Sequence, residues 1–325
     1  MDQIRVISFH YFTRTLILLG FSSYIVVLSK SDALQYYIAP RMMIYVKLAA
    51  VILYIIACFQ GYMAMRAYWG KPVSCACEQP QTRGAIRNTV AYGLLMLPLF
   101  IGFLLPDTAL NSAMAAAKGM NLSAAQSSIA KSAADAGELP SAPLQTTVPA
   151  PSAAPPASQP DKPITANSDA DLQALFPIDN EWDEDFAKVG MILYKKDTIV
   201  VQPEVYMEIL SSIDLFKNNF IGKKMELSGF VYREDGMTSS QFVVGRFAVS
   251  CCSADATPYG VLIDFPSAQT YPKDMWVKVT GTIHNGSYNG NDIFMIKANQ
   301  IEKIAPPSEP YVYPNFEPLK VLTDH

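Results

Sequence analysis

The sequence predicts an α+β membrane protein. It should have three N-terminal transmembrane helices, a disordered linker, and a C-terminal OB-like small β-barrel preceded by a helix. Three observations predict this. Half of the 325 residues are hydrophobic, and before residue 110 they gather in runs too long for soluble strands. An Ala/Ser/Pro-rich stretch follows. Beyond it, segments alternate apolar and polar residues with the period of a strand. The expected domains are residues 1–120, a linker over 121–170, and an outer domain over 171–325.

The first span is expected at about 12–30. Its uncharged core "TLILLGFSSYIVVLS" has 15 residues. That is short for a hydrocarbon core, but "FHYF" extends it and Arg14 and Lys30 can snorkel. A signal peptide is the alternative; no small-residue cleavage site closes the run. The second span (about 46–66) holds "LAAVILYIIACFQGYMAM", and the third (about 88–106) holds "NTVAYGLLMLPLFIGFLLP". Pro98 should kink the third. Cys58, inside the second, reads as an inert apolar residue. Gly20, Ser22, Ser23, Gly61, Gly93 and Gly102 are small or polar positions suited to packing against other helices. No charge sits at mid-membrane, so three such helices are too few for an autonomous transporter.

Loop charges set the expected orientation. Arg66, Lys71, Arg83 and Arg87 flank or occupy the second loop, and Arg5 and Arg14 lie at the N-terminus. Lys30, Arg41 and Lys47 flank the first loop. The balance places the N-terminus in the cytoplasm and the C-terminal domain outside the cell membrane. Residues 1–120 carry ten Lys/Arg against four Asp/Glu, while residues 167–325 carry thirteen against twenty-two. An acidic outer domain is a poor match for nucleic acid, which needs a positive surface.

The segment "LPSAPLQTTVPAPSAAPPASQPDKP" lacks aromatics and has few large aliphatics. It cannot bury enough surface to offset its ordering entropy, and reads as a tether. The preceding "LNSAMAAAKGMN…" is expected to be partly helical. In the outer domain "TIVVQ" reads as a short strand and Pro203–Asn219 as a helix, with Val205, Ile209, Ile213 and Phe216 on one face. Five strands follow, in "KKMELSGFVYRE", "QFVVGRFAVSCC", "YGVLIDF", "MWVKVTGTIH" and "DIFMIKANQIEKI". Gly229 and Gly281, in mid-strand, should mark bends where a small barrel closes. A small sandwich is the alternative. "NGSYNGND" is expected to turn the chain between the last two strands.

Four blocks carry a family resemblance: "YYIAPRMMIYVKLAAVIL", "LPLFIGFLLPDTALNSAMAAAKGM", "GKKMELSGFVYRE" and "RFAVSCCSADATPYGV". In order over most of the chain, linker excluded, they resemble the signature blocks of the YcgQ-like family. These are subunits of two-component permeases of Gram-positive bacteria, with an unknown solute. The resemblance implies an accessory transport role beside a larger polytopic permease subunit, and it brings no catalytic residues. Relatives often carry histidine-rich runs in the second loop; here there is only "SCACE".

The sequence has five cysteines, two of them adjacent: Cys251 and Cys252. Their mutual disulfide is disfavoured, because adjacent Cα atoms lie about 3.8 Å apart and disulfides want more. In a regular strand the two thiols would face opposite sides. They converge only if the strand ends or bulges there, which the turn-forming residues of "CCSADATPYG" permit. Asp255 would then be the nearest further ligand for a thiophilic metal ion such as zinc. His284 is the histidine that the fold could bring near. The competing readings are two structural thiols, or pairing with a partner's cysteine. No cofactor is otherwise implied. Cys75 and Cys77 in "SCACE" read as a solvated loop. "DNEWDEDF" (Asp179–Phe186) reads as solvated surface and lacks the spacing and glycine of a calcium loop. No G-x-S-x-G, H-E-x-x-H or phosphate loop appears, so no enzyme is expected.

The expected function is therefore a non-enzymatic accessory subunit of a membrane permease, set in the lipid bilayer. Its extracytoplasmic domain would handle or gate an unknown solute. The alternative is an extracytoplasmic thiol or metal sensor or scavenger that acts without a permease.

Overall fold

The structure, a computed structural model, describes residues 2–69, 85–123, 169–178 and 183–323. Most of the expected linker and the Cys75/Cys77 loop lie outside these residues. The chain divides into two compact units. One comprises residues 1–110 with 249–256, the other 111–248 with 257–325.

The first unit is built on helices α1 (Asp2–Lys30), α2 (Pro40–Tyr68) and α3 (Ala85–Leu104). His10–Lys30, Pro40–Tyr68 and Arg87–Leu104 are long and apolar enough to cross a membrane. The first is thus less short than its uncharged core suggests: its 21 residues rise about 31 Å as a helix. After α1, Asp32 sits in the left-handed region (φ 56°), and one 3₁₀ turn (Ala33–Tyr36) leads to α2. Ala39 is extended and Pro40 opens α2, where its fixed φ and missing N–H cost nothing. α3 continues through Pro98.

Four of the small residues of these helices, Gly20, Ser22, Gly61 and Gly102, serve contacts between helices. Gly20 lies against Leu99, Gly61 against Thr15 and Gly102 against Tyr24. The Ser22 hydroxyl donates to the Ala50 carbonyl at 2.9 Å. Ser23 bonds back to the Gly20 carbonyl within α1, and Gly93 has open space around it. Val51, Ile55, Phe59, Leu94 and Phe100 remain exposed on the flanks of the unit, as lipid-facing side chains would be.

The second unit is a mixed seven-stranded sheet with helices. Its strands are β1 (Thr198–Val200), β2 (Lys224–Tyr232), β3 (Gln241–Ala248), β4 (Thr257–Asp264), β5 (Trp276–Tyr288), β6 (Asn291–Lys303) and β7 (Tyr311–Val312). They run in the order β1-β2-β5-β6-β4-β3-β7, with a further pairing of β2 to β3. The short strand expected in "TIVVQ" is present as β1, parallel to β2, and so are the five strands expected after it; β7, parallel to β3, is added at the margin. The turn between β5 and β6 is tighter than expected. Asn285–Tyr288 stay in the ladder, and only Asn289 and Gly290 turn, at φ 51° and 81°. Two successive positive φ angles suit a two-residue hairpin loop, and Asn-Gly tolerates them.

The helices of this unit are α4 (Ser112–Lys118), α5 (Asp169–Leu175), α6 (Asp183–Tyr194), α7 (Tyr206–Leu215), α8 (Lys217–Phe220) and α9 (Pro318–Thr323). The predicted helix over 203–219 is broken. Pro203–Val205 form a 3₁₀ turn, and Phe216 (φ −112°, ψ 33°) separates α7 from α8. The predicted face holds regardless: Val205, Ile209, Ile213 and Phe216 are all buried. They join Phe176, Leu193, Phe220, Met225, Val279 and Ile296 in the main core.

Residues 111–123 fold onto this unit. Asn121 pairs with Tyr259, and the Ser123 hydroxyl donates to Asp214 at 3.0 Å. The Asp274 carboxylate accepts from the Ser112 N–H and hydroxyl at 2.6 and 2.8 Å, while Asp274 itself sits at φ 67°. Asp274→Ala should therefore cost about 2–3 kcal/mol, from two charge-assisted bonds and a backbone conformation that alanine resists. Asp274→Asn, which tolerates that conformation, should cost less. Thermal unfolding of the full chain in detergent would measure both.

A buried carboxyl gives this unit a pH dependence. Burial pushes the Glu208 carboxyl above its ordinary range, and the Asn315 N–H, donating at 2.8 Å, offsets only part of that. The raised folded value favours the protonated form. Its contribution to stability is full below the ordinary glutamate range and is lost as pH rises through the raised value. Glu208→Gln should flatten this loss and raise the melting temperature at neutral pH.

Candidate thiol and metal site

Cys251 and Cys252 do not lie in the strand. β3 ends at Ala248, and the chain turns through residues 250–255 before β4 begins at Thr257. Asp255 organises the turn. Its carboxylate accepts from the N–H of Ser250 at 3.1 Å and of Cys251 at 2.7 Å. The Asp255 N–H in turn donates to the Cys252 carbonyl at 3.1 Å. With strand alternation lifted, the two sulfurs approach to 3.6 Å. The ligand atoms of Cys251, Cys252 and Asp255 all lie within 4.8 Å of one another. Both thiols are free; Cys251 is exposed and Cys252 half-buried. Among the described residues this is the cluster able to hold a metal ion, and His284 is not in it. His284 lies in β5, paired with Met295.

The electrostatics distinguish the three groups. Hydrogen bonding to Asp255, then to Cys252, pushes the Cys251 thiol up to about 11. The backbone N–H of Ala254, the Cys251 thiol and the N–H of Asp255 hold Cys252 below the ordinary thiol range. At Asp255 burial pushes the carboxyl up. The Cys251 thiol and the N–H groups of Cys251, Ser250 and Cys252 outweigh it and leave the carboxyl low. The loop thus sets the thiol with the lowered pKa, Cys252, beside the one with the raised pKa, Cys251, and a carboxylate. Two soft sulfur donors and one oxygen suit a thiophilic cation.

The turn belongs to the unit of the membrane helices. Ile38 and Cys252 form an antiparallel bridge. The Ala39 N–H donates to the Cys251 carbonyl at 3.0 Å, and the Ser253 N–H to the Tyr37 carbonyl at 2.8 Å. Arg41 donates to the Ser250 carbonyl at 2.7 Å. The Tyr37 hydroxyl donates to Asp107, beyond α3, at 2.6 Å. Burial and then this carboxylate push the Tyr37 phenol up. Sequence reasoning missed Tyr37, Ala39 and Arg41. The available signal was "YYIAP", whose pre-proline residue is biased toward extended backbone with free edge groups.

The other candidates are plainer. In the acidic run, residues 179–182 lie outside the described residues. Asp183, Glu184 and Asp185 form the first turn of α6, where negative charge suits the helix dipole, and Glu184 pairs with Lys188 at 2.7 Å. Cys58 is exposed on α2. In the sheet unit a cleft of about 480 Å³ is lined by Glu204, Glu309, Tyr311, Tyr313 and Phe316 among others. Burial, then Glu309 and Tyr311, push the Tyr313 phenol up to about 12.

Three apolar helices carrying a thiol turn, continued by a sheet domain, define a membrane protein with an appended β domain. The chain belongs to the YcgQ-like family. The DUF1980 N-terminal domain matches residues 13–121, and the DUF1980 C-terminal domain matches residues 178–314. The chain is 22% identical over 315 residues to "UPF0703 protein YcgQ" of Bacillus subtilis, covering 93% of this chain and 99% of that protein. It is 28% identical over 228 residues to a Streptococcus mutans protein named "Putative two-component membrane permease complex subunit", covering 69% of this chain and 73% of that one.

Proposed function

We propose that this chain is a non-enzymatic accessory subunit of a membrane permease, and that the Cys251–Cys252–Asp255 turn is where it takes up a soft metal cation. The observation that carries the proposal is the turn itself: two thiols and a carboxylate within 4.8 Å, on a segment held by the membrane helices. The name of the Streptococcus relative supports the permease role. Charge-free span centres support dependence on a larger polytopic partner that forms the pathway. The N-terminus is cytoplasmic and the turn and sheet domain extracytoplasmic, an orientation supported by the cationic second loop. The sheet domain is an OB-like barrel. Support comes from its pairings, since β2–β3, β3–β4, β4–β6, β6–β5 and β5–β2 form a ring.

Affinity purification of the full chain from its native membrane is the test. A polytopic membrane protein should co-purify in mild detergent, and deletion of either should abolish transport of the same cation. A chain that purifies alone, with transport intact on its deletion, would sink the permease role. A metal phenotype that persists without the partner would favour a sensor or scavenger instead.

A further inference from the structure

We infer that the thiol site is assembled by the membrane hairpin, and that its occupancy is coupled to the connection between α1 and α2. This rests on the metal reading above and adds positioning residues to it: Tyr37, Ala39 and Arg41. Four hydrogen bonds carry the inference.

A free turn of six residues samples many arrangements, and few of them bring adjacent sulfurs to 3.6 Å. Here the carbonyl of Ser250, the carbonyl of Cys251 and the N–H of Ser253 are each tied to the segment Tyr37–Arg41. The bonds flank both cysteines on the backbone, so they fix the turn without using either sulfur. Docking therefore preorganises the donors and removes part of the ordering cost of binding. Linkage makes the effect reciprocal. A cation that prefers the docked turn strengthens the hold on residues 37–41 by the same factor. Those residues lead directly into α2, and Tyr37 also reaches Asp107 after α3. Occupancy is thereby felt where the first two spans join and where the third ends.

Ala39 allows a clean test. Its φ of −60° already matches proline, so Ala39→Pro deletes the N–H donor to Cys251 while keeping the backbone angle. The full chain is reconstituted in lipid nanodiscs and titrated with Cd²⁺, read by thiolate-to-metal absorption. Amide exchange over residues 31–41 and 249–256 is followed with and without the ion. Wild type should bind one Cd²⁺, and exchange at Ala39 and Ser253 should slow on binding. Ala39→Pro and Arg41→Ala should each weaken Cd²⁺ by roughly fivefold, the size of one net hydrogen bond. Arg41→Lys should recover part of the loss. If Cys251→Ser with Cys252→Ser binds Cd²⁺ like wild type, the metal reading itself fails. If the cysteines are required but Ala39→Pro, Arg41→Ala and the exchange pattern are all indifferent to the ion, the coupling is overturned and the site stands alone.

Discussion

Gly281→Ala is expected to destabilise the sheet domain by about 3 kcal/mol, the upper range of overpacking costs. A Cβ at Gly281 would run into the Lys297 carbonyl oxygen and lie 2.9 Å from the Ala298 Cα. Both are backbone atoms of the adjacent strand, so no rotamer change relieves the clash. The position coincides with the register shift between Thr280 and Gly281, where β5 bends against β6. Gly229→Ala should behave alike, because its Cβ would meet the backbone of Gly245. Gly93→Ala is the control: nothing lies within 4 Å, and alanine is the better helix former. Thermal unfolding of the full chain should show a large loss for the strand variants and none for Gly93→Ala. An unchanged melting temperature for Gly281→Ala would mean the β5–β6 register is wrong.

The second large effect concerns the turn. Replacing Cys251 and Cys252 together with serine should lower Cd²⁺ affinity at least about a hundredfold, more than the loss of an outer-shell partner costs. Serine keeps the size but replaces a soft thiolate with a hard hydroxyl. Asp255→Asn should also weaken binding, for two reasons. It removes one ligand, and it weakens the bonds from the Ser250 and Cys251 N–H groups that shape the turn. Magnesium and calcium, which prefer oxygen ligands, should not compete. Titration of the purified full chain with each ion decides. Equal binding by the double variant would remove the turn from any metal function.

Most elements were legible because they rest on short-range pattern. The three apolar runs, the face Val205–Ile209–Ile213–Phe216 and the five alternating strands each follow from residue spacing alone. The failures are equally specific. The helix over 203–219 broke at Phe216, whose burial at 8% exposure goes with a backbone that cannot continue α7. The turn over 285–292 shrank to two residues because cross-strand pairs down to Tyr288–Asn291 hold the ladder together. Strand β7 was not anticipated: it has two residues and pairs in parallel with β3, far off in sequence.

By itself the sequence determined that the chain crosses a membrane, that a β-rich domain follows, and that two adjacent thiols stand beside turn-forming residues. Those properties depend on composition and local spacing. Tertiary structure alone decided that β3 stops at Ala248 and that Cys251, Cys252 and Asp255 converge. It alone decided that residues some 210 positions away, Tyr37 to Arg41, bond to the same turn. Convergence depends on where backbone hydrogen bonds go, and no local pattern records a partner that distant.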